Sequence, residues 1–169
     1  MAVAVAVAAT FVWLGMVLAI SFLEAPLKFR APGVTTVIGV GIGRLVFRAL
    51  NVAELVLVVV VIAGVVAAGV PVAPAVIVGV LALLLVAQLG VVRPRLNRRS
   101  DRVLAGETPP RSRAHLVYIG LEVVKVAALI VLGVFLLVAA QTRPTDAPGA
   151  WPTLGPTAAL AQSARATHS

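Results

Sequence analysis

The sequence predicts an all-α membrane protein, a bundle of four transmembrane helices. Four long apolar stretches make up most of its 169 residues. Hydrophobic residues account for 61% of the chain and the mean hydropathy is +1.10, well above an ordinary soluble domain. Three ionisable residues, Glu54, Glu122 and Lys125, lie inside two of the stretches. A charge in hydrocarbon is costly, so it is kept where it has a partner or a task.

The first stretch covers residues 2–23, the second 46–70, the third 72–92 and the fourth 116–140. Each is near or above the ~20 residues that carry a helix across ~30 Å of hydrocarbon. Their Val and Ile content favours strands in water, but lipid demands that every backbone N–H and C=O be satisfied internally. A closed barrel would alternate in polarity, whereas these stretches are apolar on all sides. Beyond them the chain changes character. Pro144, Pro148, Pro152 and Pro156 recur amid Thr, Ala and Gly, and 141–169 reads as a Pro-rich disordered tail.

The net charge is +8, and most basic residues fall in two connections. Lys28, Arg30 and Arg44 follow the first stretch, with Arg48 just inside the second. Arg93, Arg95, Arg98, Arg99, Arg102, Arg111 and Arg113 follow the third. The turn at 68–73 and the segment before the first stretch contain no Lys or Arg. Loops of this kind are read by a bilayer rather than by nucleic acid. The expectation is a multi-pass protein of the bacterial cytoplasmic membrane, with loops 24–45 and 93–115 cytoplasmic and both termini outside. Its first partner is the bilayer, with anionic lipid head groups held by Lys28, Arg30, Arg44 and Arg48; no nucleic acid is expected. The N-terminal stretch lacks the basic start of a cleavable signal and reads as a retained helix. Without cysteine there is no disulfide, thiolate metal site or cysteine nucleophile. With His115 the only histidine near a span, a bis-histidine haem within one chain is excluded, and neither metal nor cofactor is expected.

A shift of 68 residues aligns Pro26 with Pro94, Arg30 with Arg98 and Glu54 with Glu122. Two readings stand. Either the bundle is two tandem helical hairpins in the same orientation, or a Val/Ala/Leu-rich chain matches itself by chance.

In the fourth stretch His115, Tyr118, Glu122 and Lys125 recur at steps of three, four and three, one face of a helix. In the second, Arg44, Arg48, Asn51 and Glu54 recur at four, three and three. Glu54 and Glu122 lie at similar depth, ~10–12 Å below the basic boundary. Turning the stripes together lets Lys125 pair with one carboxylate while Arg48 takes the other. Asn51 and Tyr118 would fill the remaining lone pairs, Gln88 could join, and Glu24 could neutralise boundary cations. Such a network either fixes which helix faces meet or forms a ligand, ion or proton site.

Gly39, Gly41 and Gly43 lead into Arg44 without the G-x-G-x-x-G spacing or a preceding strand, so a dinucleotide fingerprint is rejected. Their exposed amides could hold a phosphate or head group with Arg44 and Arg48; a pliable interfacial segment is the preferred reading. His115 reads as an interfacial hydrogen-bonding residue, since zinc would need several convergent ligands. The pairs Gly15/Ala19 and Gly64/Ala68 permit close helix packing but are common in such a chain.

Residues 13–33, with Trp13, Glu24, Pro26 and Lys28, resemble an uncharacterised, DUF4149-like family of small bacterial four-helix integral membrane proteins. So do residues 41–47, 49–51 and 118–125, which include Arg44, Asn51, Tyr118, Glu122 and Lys125. The likeness covers the first, second and fourth spans well, the third span and the tail poorly. More distantly, the architecture is similar to the copper-resistance-D-like membrane proteins. The His and Met ligands a copper role would want are scarce here, so no copper site is implied. The closer resemblance implies an architecture and no activity.

Three functional expectations follow. The first is a non-enzymatic membrane protein with a ligand or ion site between helices, a small transporter or accessory subunit. Four helices are few for a carrier, so a homodimer is expected there. The second is a purely structural or partner-binding membrane protein. The third is an intramembrane enzyme acting on lipid or quinone, with Glu54, Glu122 and His115 as acid–base candidates. No Ser/His/Asp arrangement, metal cluster or phosphate loop supports the third, so no catalytic residue is expected.

Overall fold

The computed structural model describes residues 1–107 and 113–142, and the side chains of 113–115 lie outside that description. The predicted tail from residue 143 onward and residues 108–112 of the second basic connection also fall outside the described residues. Among the described residues there are four long helices and no strand. They are α1 (Ala2–Arg30), α2 (Thr36–Ala68), α3 (Val72–Leu104) and α4 (Arg113–Gln141). All four are long and apolar enough to cross a membrane, yet no more than 33% of any apolar window is buried inside the bundle. The remainder, including Leu45, Val66, Leu83 and Leu116, is exposed on the outer surface. Unpartnered apolar faces of this extent belong against acyl chains. The chain is a four-helix membrane bundle.

Both α1 and α3 pack against α2 and α4, so the helices form a ring in chain order. Each turns one stripe at three- and four-residue spacing into a common core. Trp13 and Val17 come from α1, Val58 and Val61 from α2, Leu81 and Leu85 from α3, and Leu129, Leu132 and Leu136 from α4. Thr35 opens α2, its hydroxyl accepting from the Ile38 N–H at 3.3 Å. Gly69 closes it with φ of 58°, the left-handed conformation that suits glycine, and Pro71 precedes α3.

The helices run beyond the predicted spans. α1 continues to Arg30, α2 starts at Thr36, and α3 extends to Leu104, so much of the expected loops 24–45 and 93–115 is helical. Basic residues mark the membrane boundary, but Arg and Leu are good helix formers and nothing there ends the helix. Ion pairs Arg44–Asp101, between α2 and α3, and Arg102–Glu107 lie in these extensions. The glycine-rich segment is corrected too. Gly39, Gly41 and Gly43 lie inside α2, where amides are spent on helical hydrogen bonds and offer no phosphate cradle. Their use is close approach: a methyl group at Gly39 would strike the Phe29 ring, and one at Gly43 would lie 2.7 Å from Lys28 Nζ.

Two segments widen into π-helix, Leu18–Glu24 in α1 and Gln88–Val92 in α3. Each ends two residues before a proline, Pro26 or Pro94. Proline lacks an N–H and crowds the carbonyl four residues back, here that of Phe22 or Gly90. The wider turn relieves this crowding without breaking the helix. The same device thus recurs at positions related by the 68-residue shift.

Candidate functional site

The buried stripe of α2 contains Gly43, Leu50, Glu54, Val58 and Val61. That of α4 contains Tyr118, Glu122, Lys125 and Leu129. Where they meet, Lys125 Nζ donates to Glu54 Oε1 at 2.6 Å and to Glu122 Oε1 at 3.2 Å. The Trp13 indole N–H donates to Glu54 Oε1, and Gln88 Nε2 donates to Glu122 Oε1, both at 2.9 Å. All five side chains are at most 2% exposed. One hydrogen-bonded chain, Trp13–Glu54–Lys125–Glu122–Gln88, therefore ties all four helices together. The partners are not duplicated by the internal repeat, since the 68-residue shift matches Trp13 to Leu81 and Gln88 to Ile20.

The stripe predicted on α4 comes together, and Gln88 joins it. The pairing differs from expectation, because Lys125 serves both carboxylates and Arg48 serves neither. Arg48 is exposed. It stands about 120° around α2 from Glu54, because two successive steps of three each fall about 60° short of a turn at 100° per residue. Asn51 does not reach a carboxylate either. Oriented with its oxygen toward α3, its amide accepts from Arg93 Nε and Nη2 at 2.8 and 2.9 Å. Tyr118 packs edge-on against Phe47, with ring centroids 5.6 Å apart, and its hydroxyl lies beside the Glu122 carboxylate. Trp13 and Arg93 are the residues that sequence reasoning missed. A tryptophan inside an apolar span signals a buried N–H seeking an acceptor, whereas Arg93 was counted with the loop charges. His115 is helical, but its side chain lies outside the described residues.

Toward the basic ends of the helices, the network opens into a cavity of about 530 Å³. Residues from all four helices line it, among them Ser21, Phe29, Arg44, Arg93, Tyr118 and Glu122. In the opposite direction the fully buried Leu129, Leu132 and Leu136 fill the interior. Among the described residues, four buried side-chain atoms make no hydrogen bond of normal geometry: Ser21 Oγ, Tyr118 Oη, Glu122 Oε2 and Gln88 Oε1, although the Tyr118 hydroxyl lies beside the Glu122 carboxylate. The first three belong to residues that line the cavity.

The expected head-group cations divide. Lys28 and Arg44 line the cavity, Lys28 paired with Glu24 at 3.1 Å and Arg44 with Asp101. Arg48 lines a smaller cleft of about 200 Å³ with Arg44, Asn51, Arg93 and Asn97. Arg30 is exposed at the end of α1 and borders neither space. Arg93, shared by both, lies 5.3 Å from the Phe47 ring and makes no ion pair among the described residues. No three His, Asp or Glu residues among those described gather as a metal-binding group.

Fold and site together define a four-helix integral membrane protein whose interhelical cavity rests on a buried acid–amine network. Comparison with protein-family models, curated proteins and solved structures gives no match to the chain.

Proposed function

We propose that this is a non-enzymatic protein of the bacterial cytoplasmic membrane that binds a small ligand between its helices, as a small transporter or accessory subunit. The observation that supports this reading is a cavity lined from all four helices, with Arg93 on its wall making no ion pair among the described residues. Protein interiors hold few voids larger than a water molecule, and a network serving only to fix helix register gains nothing from such a space. The space, about 530 Å³, falls in the usual range for ligand sites. Binding is favoured over catalysis because Ser21 Oγ has no hydrogen-bond partner to act as its base. As a carrier, the protein would work as a homodimer.

The test is to fill the space. Wild-type protein purified in mild detergent is expected to carry a near-stoichiometric non-protein mass in native mass spectrometry. Ser21→Phe should lose about nine-tenths of it, the tenfold equivalent of ~1.4 kcal/mol, while melting like the wild type. A wild-type protein that carries nothing would favour the scaffold reading.

The proposed orientation places the basic helix ends in the cytoplasm. The chain has no cysteine, so single-cysteine variants report cleanly. A membrane-impermeant maleimide on intact cells should label Val72→Cys, in the uncharged turn, and spare Glu107→Cys. The reverse pattern would invert the topology.

A further inference from the structure

We propose that the cleft between α2 and α3 holds the phosphate of an amphipathic phosphate ester, whose apolar body lies in the adjoining cavity. This rests on the reading of a ligand site between helices and names the group that the site recognises.

The cleft is built from two facing stripes. Arg44, Arg48 and Asn51 come from α2, and Leu89, Arg93 and Asn97, at steps of four, from α3. The α2 residues are the boundary end of the stripe whose Glu54 turns into the core, so one sequence pattern serves two sites. No carboxylate lines the cleft. Arg44 pairs with Asp101, while Arg48 and Arg93 make no ion pair among the described residues. Arg48 and Arg93 are close enough to act on each other's charge, and like charges brought together repel unless an anion joins them.

The Asn51 oxygen accepts from Arg93 Nε and Nη2, which holds the guanidinium between the helices and leaves its other N–H groups for an oxyanion. Guanidinium matches phosphate oxygens in geometry as well as charge, and Asn97 adds an amide donor. Membrane orientation does not require this arrangement. A cation that only biases topology works as well in water, where Arg30, Arg95 and Arg98 lie exposed, whereas Arg93 is part-buried. Around the cavity, the cleft and the buried network, Lys28, Arg44, Arg48, Arg93 and Lys125 stand against Glu24, Asp101, Glu54 and Glu122. The excess is positive, and an anion balances it.

Arg44, Arg93 and Asn97 line the cleft and the larger cavity alike, so a phosphate seated on them extends its ester group into the cavity. There the wall includes Pro26, Phe29, Val40, Phe47, Leu96 and Ile119, which suits hydrocarbon. The shared chemistry is an alkyl phosphate, from a membrane lipid or from a soluble ester.

The full-length chain in neutral detergent is offered decyl phosphate or its uncharged dimethyl ester, and retention is read by native mass spectrometry. Decyl phosphate should be retained about a hundredfold better, through charge-assisted bonds to both Arg48 and Arg93. Arg48→Gln and Arg93→Gln should each lower its retention about tenfold. Both should retain the dimethyl ester like the wild type, which shows that the cavity still stands. Arg95→Gln, which removes an exposed cation outside both spaces, should change neither probe. A loss in Arg95→Gln as large as that in Arg48→Gln overturns the proposal. Inorganic phosphate displacing decyl phosphate at equal concentration overturns the apolar body. Displacement by stoichiometric phosphatidylglycerol supports a membrane lipid as the source, and resistance to it supports a soluble ester. Equal retention of the two probes, both lost in Ser21→Phe, sinks this proposal and leaves the ligand site standing. Retention of neither sinks both.

Discussion

Lys125→Met is expected to destabilise the bundle by about 3–5 kcal/mol, the usual cost of removing one partner from a buried ion pair. Lys125 is fully buried and donates to both Glu54 and Glu122. Without it two buried carboxylates are left to neutral donors such as the Trp13 indole and the Gln88 amide. Reversible unfolding in mixed micelles measures the loss. The cause is separable from lost packing volume, because Lys125→Met combined with Glu54→Gln and Glu122→Gln removes the charges and leaves their shapes. That triple variant should return to within about 1 kcal/mol of the wild type, since neutral hydrogen bonds between membrane helices contribute little each. A single variant as stable as the wild type would mean that the amine is not shared between buried acids.

The second large effect is steric. A Cβ at Gly64 would lie 2.9 Å from Ala6 Cβ, 3.2 Å from the Ala2 carbonyl oxygen and 3.3 Å from the Ala6 nitrogen. Two of these are backbone atoms, so no rotamer change makes room and α1 must move away from α2. Gly64→Leu should cost about 3 kcal/mol, at the upper end for overpacking a close contact. Gly79→Leu is the control: nothing lies within 4 Å of a Cβ there, and its effect should stay within about 0.5 kcal/mol. Equal behaviour of the two variants in the same assay would disprove the close α1–α2 crossing.

The architecture was legible because hydrocarbon leaves few alternatives: apolar runs of this length, free of alternation, have to be helices. The α4 stripe was legible for a related reason. Tyr118 and Lys125 are seven residues apart, close to two whole turns, so they share a face. Arg48 and Glu54 are six apart, about 120° around the helix, so Arg48 left the face assigned to it. Spacing also identifies a face without identifying its partner. Nothing local to Lys125 indicates that it serves two acids, one of them 71 residues away. Helix ends on the basic side were hidden because charge marks a membrane boundary, and a boundary is not a break in the backbone. The cavity was invisible because it is a property of packing among four helices.

The order in which the network is completed bears on biogenesis. The ribosome releases α1 and α2 first, so Glu54 reaches the bilayer with the Trp13 N–H as its one available donor. Its counter-charge arrives on the last helix to be made. A nascent first hairpin therefore holds an uncompensated carboxylate in lipid, an expensive state. A chain truncated before α4 remains in that state, which offers membrane quality control a physical mark for telling unfinished copies from mature ones.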